Sequence, residues 1–249
     1  MADQKTPYTL SLSPAELRWL AGSFGLTRLA LPVDLPPASA HQLRLGQESL
    51  AGRGLIRRDP GTGWQADQLA VFLVQWLGTA EAYTRLEVHP RRGEPVRAGI
   101  YSLRGLYLLI GCAQEQVECL FLSDEKALMA ELVRRLDPSI GSGHRLKTVR
   151  AGEGEYTLPQ PLELIRAAWQ DPNPVRRALV NSGLSKREAA STLAWIQSLK
   201  TVITFSPVPQ EGKEPLLLCG DGSGLWAGRS GKFVPCSWKD SVSRVREML

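Results

Sequence analysis

The apolar positions divide the chain into short elements with two distinct periods. Residues 8–12 alternate Tyr, Leu and Leu with Thr and Ser, the period of a short strand. Ser13-Pro14-Ala15-Glu16 then predicts a helix start: Ser13 is the N-cap, Pro14 fits the first helical position and Glu16 completes a capping box. That helix turns Leu17 and Leu20 inward, with Trp19 beside them, and stops near Gly22. Residues 31–37 are Pro-rich and irregular. A second helix is expected over residues 39–52, closed by Gly54 in the left-handed position that suits glycine. Residues 59–63 read as a turn. Residues 66–77 predict a strongly apolar helix, because Leu69, Phe72, Leu73, Trp76 and Leu77 recur at three and four.

From Tyr83 the period changes to two. Leu86 and Val88 alternate with Arg85 and Glu87, and residues 96–101, 106–111 and 117–122 are further apolar runs. These predict four antiparallel strands joined by hairpins. Ser123 caps a closing helix whose buried stripe is Ala127, Leu128, Leu132, Val133 and Leu136. Residues 137–154 are rich in Gly and Ser and lack apolar periodicity. The pattern then restarts. Residues 156–158 read as a strand and residues 161–169 as a helix. A short helix over residues 174–181 ends at Gly183, and the capping box Ser185-Lys186-Arg187-Glu188 opens a helix that reaches Leu199. Residues 201–205, 216–219, 225–228 and 233–236 complete a second set of strands, and residues 240–249 an amphipathic closing helix.

The restart has landmarks. Tyr156-Thr157-Leu158, Pro161, Glu163 and Leu164 follow the order of Tyr8-Thr9-Leu10, Pro14, Glu16 and Leu17. Leu179 with Gly183-Leu184 echoes Leu50 with Gly54-Leu55, and Gly224-Leu225-Trp226 echoes Gly105-Leu106-Tyr107. An ordered series of this kind predicts an internal repeat. The expected organisation is an N-terminal half over residues 1–137, a linker over 138–155 and a C-terminal half over 156–249, with both halves packed as one globular unit. The fold class expected is α+β: a pseudo-twofold duplication with a central, mostly antiparallel sheet flanked by helical bundles.

Composition narrows the function classes. The chain has 249 residues, of which 43% are hydrophobic, and its longest apolar runs are far too short to span a bilayer. The first residues lead into no apolar signal segment, so a cytoplasmic location is expected and no membrane partner. Cys112, Cys119, Cys219 and Cys236 show no CxxC spacing and lie in or beside strand-like runs, as buried thiols do. The net charge of +5 is spread over small basic clusters in both halves, interleaved with glutamate.

No enzyme constellation emerges. The three histidines, His41, His89 and His144, lie at no metal-ligand spacing from one another or from a cysteine. Gly220-Asp221-Gly222-Ser223-Gly224 lacks the lysine and Ser/Thr of a phosphate loop, fails the nucleophile-elbow pattern and sits between strands, so it reads as a hairpin turn. Glu16, Glu48, Glu81 and Glu163 are dispersed on helix faces. No catalytic residue, metal or cofactor is expected. Of the seven tryptophans, Trp19, Trp76, Trp169 and Trp195 lie on helices at core spacing, while Trp64, Trp226 and Trp238 fall at turn or strand edges, where an aromatic is more often an interface anchor.

The plan of helix, Gly-Leu, helix, meander and closing helix resembles the EspG family of type VII (ESX) secretion-associated proteins. The resemblance is carried by residues 50–55, by the helix over residues 67–77 and by the tail. In the tail, Gly224-Leu225-Trp226-Ala227-Gly228-Arg229 is followed by residues 234–238 and the final helix. It implies a pseudo-twofold α+β fold and a cytosolic, non-catalytic chaperone without cofactor. The implied client is the helical tip of a PE–PPE heterodimer. A groove for such a client needs apolar walls and a polar rim. The outward-facing residues of the second meander and the helix over residues 185–199 are the candidate walls. Trp226 and Phe233 are the preferred anchors, with Trp195 and Trp238 as further candidates; a core role for Trp226 and Phe233 stands beside this reading. Two other functions remain open. One is a nucleic-acid-binding regulator using the dispersed Arg and Lys patches, and the other is an enzyme using His144 or Asp221. If the cysteines are buried thiols, melting should be unchanged by strong reductant and by a chelator. Stoichiometric zinc in the purified protein would contradict this.

Overall fold

The computed structural model describes residues 8–61, 63–112, 116–136, 150–151, 153–210, 212–221 and 224–249. In chain order the first elements are β1 (Tyr8–Leu12), α1 (Pro14–Ser23), α2 (Ala40–Gly52), β2 (Ile56–Asp59), β3 (Gly63–Ala66) and α3 (Gln68–Thr79). They are followed by β4 (Tyr83–Pro90), β5 (Val96–Leu103), β6 (Leu106–Cys112), β7 (Val117–Leu122) and α4 (Glu125–Leu136). The remainder is β8 (Arg150–Ala151), β9 (Tyr156–Thr157), α5 (Pro161–Gln170), α6 (Pro172–Asn181), α7 (Lys186–Ser198), β10 (Thr201–Val208), β11 (Leu216–Gly220), β12 (Gly224–Arg229), β13 (Lys232–Pro235) and α8 (Trp238–Arg246). The protein is α+β, and its strands pair antiparallel apart from the two-residue β8 on β12.

The chain forms two compact units. Unit 1 comprises residues 1–83 and 97–125, and unit 2 residues 84–96 and 126–249. The division does not follow the halves expected from the repeat, because residues 84–96 and 126–136 pack with the later part of the chain. Nor is residue range 138–155 wholly a connector, since Arg150–Ala151 pairs with Gly224 and Leu225 of β12. In unit 1 the strand order is β1-β7-β6-β5. In unit 2 it is β4-β10-β11-β12-β13-β9. Thus β9-β13-β12-β11 repeats the order of β1-β7-β6-β5 with elements that hold equivalent places in the sequence.

Unit 1 is organised by a buried carboxylate. Ser13 accepts from the Glu16 amide and Glu16 accepts from the Ser13 amide, the capping box expected from the sequence. The same carboxylate also takes the Ser49 hydroxyl at 2.9 Å and the Arg53 guanidinium at 2.9 Å, both from the end of α2. Arg53 reaches on to the Ser11 carbonyl of β1 at 2.7 Å. A carboxylate that is buried needs its lone pairs filled, so these bonds set one register of α2 on α1. Gly46 makes the approach close: a Cβ there would lie 2.8 Å from the Ala15 carbonyl carbon and 2.9 Å from the Glu16 nitrogen. Leu17, Leu20, Leu50, Leu73 and Leu77 fill the core beneath.

Some element limits differ from those expected. The apolar helix is α3, two residues later than its apolar pattern implied, because Asp67 is its N-cap and accepts from the Leu69 amide at 2.9 Å. The turn at residues 59–63 carries paired strands on both sides, β2 and β3. Their arginines and Gln65 gave no apolar alternation to reveal them. Gly54 adopts φ +72°, as its place after α2 requires. The last helix begins at Trp238, earlier than expected, because Ser237 and Asp240 form its capping box.

Unit 2 packs α5, α6 and α7 as a three-helix layer on its sheet. Ser185 and Glu188 form the expected capping box of α7, and Trp169 donates its indole N–H to the Ile196 carbonyl at 3.1 Å. The C-terminal segment is tied down by Arg229 to Glu247 at 2.9 Å and by the Thr84 hydroxyl to the Met248 carbonyl. For the unit 1 node, Glu16→Ala should cost roughly 2–4 kcal/mol of unfolding free energy, since Arg53 and Ser49 lose their buried acceptor. Urea titration measures it, and a loss under about 0.5 kcal/mol would show that the node does not organise the helices.

Candidate functional site

The anchors expected from the sequence lie in a buried aromatic nest. Trp195 of α7 stacks on Tyr156 of β9 with centroids 4.1 Å apart, and meets Trp226 of β12 at 5.8 Å and Phe233 of β13 at 5.2 Å. Trp195 is 5% exposed, Trp226 4% and Phe233 0%. Trp226 donates to the Gly154 carbonyl at 3.3 Å, and Gly228 leaves room for the Phe233 ring. An anchor must meet its partner before the pair is desolvated. These three side chains are instead shared among α7, β12 and β13, as the core reading set beside the anchor role for Trp226 and Phe233 has it. Trp238 falls at the start of α8.

The reactive side chains are dispersed. His41 is exposed on α2. His89 is buried on β4 with its Nε2 3.4 Å from Glu87. His144, Gly222 and Ser223 lie outside the described residues. Asp221 closes the β11–β12 turn by accepting from the Gly224 amide at 2.7 Å, the hairpin role expected for this glycine-rich stretch. All four cysteines are free thiols. Burial pushes the Cys112 thiol up to about 11 and raises Cys119, Cys219 and Cys236 as well, so none is a thiolate at neutral pH. Among the described residues no three His, Cys, Asp or Glu side chains gather to hold a metal ion. Several cations are committed internally: Arg18 to the Leu35 and Pro36 carbonyls, Arg53 to Glu16 and Arg91 to the Gln197 carbonyl.

Among the described residues, most of the exposed large apolar side chains belong to unit 1. Phe72 is 36% exposed, Leu103 39% and Leu106 45%, and Trp64 is exposed with its ring edge-on to Trp19. Leu103 and Leu106 face each other across the β5–β6 hairpin. Its tip, Arg104-Gly105, has φ of 50° and 82°, the positive pair of a tight two-residue turn. Behind this tip lies a groove of about 450 Å³. Phe72 and Trp76 of α3 form one wall, edge-to-face at 5.2 Å. Ser102 and Leu103 of β5 form the other, and Gln75, Thr79 and Glu81 supply the polar rim.

The two walls are held by the backbone of one residue, Ala30. The Ala30 amide donates to the Leu77 carbonyl of α3 at 2.9 Å, and the Ala30 carbonyl accepts the Tyr101 hydroxyl of β5 at 2.6 Å. Tyr83 stacks on Tyr101 at 5.1 Å and donates to the Leu31 carbonyl at 2.9 Å. Leu26 sits over Gly78, where a Cβ would meet Leu26 Cδ1 at 2.6 Å. The groove is therefore preformed by the irregular segment after α1.

The fold is like that of EspG5. This protein is the type VII secretion system chaperone of Mycobacterium tuberculosis, solved in complex with the PE25–PPE41 dimer. The match covers 97% of this chain and 97% of that chain, with a TM-score of 0.62 and 12% sequence identity. At that identity the likeness concerns the fold. No family model matches the chain, and no curated protein matches it.

Sequence reasoning missed Phe72 and Leu103 as surface residues. Phe72 shares the apolar period of α3, which by itself does not set it apart from Leu73 and Leu77. The signal was present in the helix itself. Ala70, Leu73, Val74, Trp76 and Leu77 already complete a buried face, which leaves Phe72 on its flank. For the nest, Trp226→Ala should lower unfolding free energy by roughly 3–5 kcal/mol, the cost of a large cavity in a packed core. Calorimetry or urea titration checks it. A melting temperature equal to wild type would place Trp226 outside the core.

Proposed function

We propose that the protein is a non-catalytic, EspG-type chaperone or adaptor that binds a helical secretion substrate, of the PE–PPE heterodimer kind, in the cytosol. The observation that carries the reading is the preformed, half-apolar groove of unit 1 with its exposed Phe72, Leu103 and Leu106. Large apolar side chains held at the surface beside polar rims mark protein-binding sites rather than reaction centres. Among the described residues, the separate places of His41 and His89 and the neutral thiols support a role without catalysis. The likeness in fold to a chaperone supports the class of client. The matching strand order of the two units supports an origin by internal duplication, with unit 1 carrying the exposed face and unit 2 the more closed one. Among the described residues no helix is long and apolar enough to cross a membrane.

The test is co-expression of the full chain, carrying an affinity tag, with a panel of PE–PPE heterodimers encoded in the same genome. One heterodimer should co-purify stoichiometrically and show a higher soluble yield than when expressed alone. If every heterodimer of the panel stays soluble and unbound without difference, the client class is wrong.

A further inference from the structure

We infer that the face of β4 turned toward α7 is an oxyanion site, in which Arg85 and Thr204 receive a carboxylate or phosphate group. The inference goes beyond the chaperone reading and stands independently of it. It rests on two polar side chains of neighbouring strands whose enclosed atoms meet no partner.

Strand alternation fixes the two faces of β4. Its residues 84–90 belong to unit 2. The Thr84 hydroxyl donates to the Met248 carbonyl, and Arg229 of β12 reaches Glu247 and the Met248 sulfur. Thr84 therefore points to the face that the C-terminal segment covers. Arg85, Glu87 and His89 alternate with it and lie on the other face. Arg91 agrees, since its guanidinium donates to the Gln197 carbonyl of α7. Thr204 of β10 points the same way. It pairs with Leu217 of β11, which packs with Trp195 and Trp226 in the apolar cluster under α7.

Strand β10 is the neighbour of β4 in the sheet. The Arg91 amide donates to the Lys200 carbonyl at 2.8 Å. The end of β4 thus lies beside the start of β10, and the two strands run antiparallel. Counted from that bond, Thr204 falls level with Glu87 and one diagonal step from Arg85. A diagonal step is within the reach of a long side chain.

This face departs from the pattern of its neighbours. Val202, Leu217 and Cys219 belong to the apolar cluster under the helices, whereas β4 offers an arginine, a glutamate and a histidine. Glu87 lies 3.4 Å from His89, and Arg91 is held by the α7 carbonyl. Arg85 has no such bond. Its Nε is enclosed and meets no acceptor among the described residues, and the Thr204 hydroxyl is likewise enclosed without a partner. Both residues are only half-buried, so solvent reaches part of each side chain and a ligand reaches it too.

An enclosed N–H without an acceptor costs stability until one completes it. The complement of a guanidinium beside a hydroxyl is an oxyanion, which accepts from both. A cation is repelled by Arg85, and an apolar ligand would leave the same N–H bare. Arg85 and Arg91 stand against the single carboxylate of Glu87, so the charge of this face favours an anion. Two sources carry that chemistry: a small free anion and an acidic side chain of a bound protein.

The test reads Arg85 directly by nuclear magnetic resonance of the isotope-labelled full chain. The Arg85 Nε–H signal is assigned by its loss in Arg85→Lys. Inorganic phosphate and sodium acetate are then titrated separately at constant ionic strength. The Arg85 signal should shift saturably with at least one of them, while the signal of exposed Arg187 should not saturate. Thr204→Val should weaken the apparent affinity at least about threefold, the scale of one hydrogen bond. In chloride buffer without either anion, Arg85→Met should melt no more than about 2 °C below wild type, because it removes an uncompensated charge rather than a bond. A larger fall would assign Arg85 a structural role and overturn the site. No saturable shift with either anion, or an affinity untouched by Thr204→Val, would also overturn it. Heterodimer capture with Arg85→Met separates the sources. A lower yield than wild type assigns the oxyanion to the bound protein, and an equal yield assigns it to a free anion. If wild type captures no heterodimer, the chaperone reading falls by itself, and the titration alone decides the site.

Discussion

The Glu16 carboxylate accepts from the Ser13 amide, the Ser49 hydroxyl and the Arg53 guanidinium, and Arg53 continues to the Ser11 carbonyl. These bonds join the end of β1, the start of α1 and the end of α2. A buried carboxylate tolerates no half-filled state, because an unpaired charge in the core costs several kcal/mol. The helices of unit 1 therefore have one register, and α3 packs against α1 within it. The groove inherits its rigidity from this arrangement. Its second support, the Ala30 backbone bonded to Leu77 and Tyr101, sits in the chain that leads from α1 to α2.

Unit 2 repeats the order of elements but locks them by other means. Pro161 and Glu163 occupy the helix positions of Pro14 and Glu16. However, the residue before Pro161 is Gln160 at φ 47°, and it makes no side-chain cap. Glu163 is consequently exposed rather than buried. The stabilising role passes to Tyr156, Trp195, Trp226 and Phe233, whose rings meet on the sheet. Aromatic rings in mutual contact bury much area and add geometric preference. The same plan is thus held by a polar node in one unit and an aromatic nest in the other.

The two units also differ in which apolar side chains they leave at the surface. Unit 2 places Trp195, Trp226 and Phe233 inside the nest, whereas unit 1 leaves Phe72, Trp64 and the Leu103–Leu106 pair at the surface. Exposed apolar side chains oppose solubility unless a partner covers them.

Local chemistry was legible along the chain. The capping boxes at Ser13 and Ser185, the left-handed Gly54, the α+β class and the meander of strands follow from side chains acting on neighbours a few residues away, and they stand in the structure. Periodicity could also identify α3 as an apolar helix. It could not tell which apolar residues of α3 would stay in water, because that depends on what packs beside the helix. Ala70, Leu73, Val74 and Leu77 face the core, and Phe72 is left on the flank. Strand edges misled for the same reason. Trp226 reads as exposed from its glycine-rich surroundings, yet α7 brings Trp195 over it. The β2–β3 pair was silent, since polar hairpins carry no alternation. The groove was unreadable because its walls, Phe72 and Leu103, are far apart in sequence and meet through the backbone of Ala30. Sequence by itself determined the elements and their caps through short-range sterics and hydrogen bonding; only tertiary packing decided which side chains reach water, because exposure depends on distant segments that cover one face and leave the next one bare.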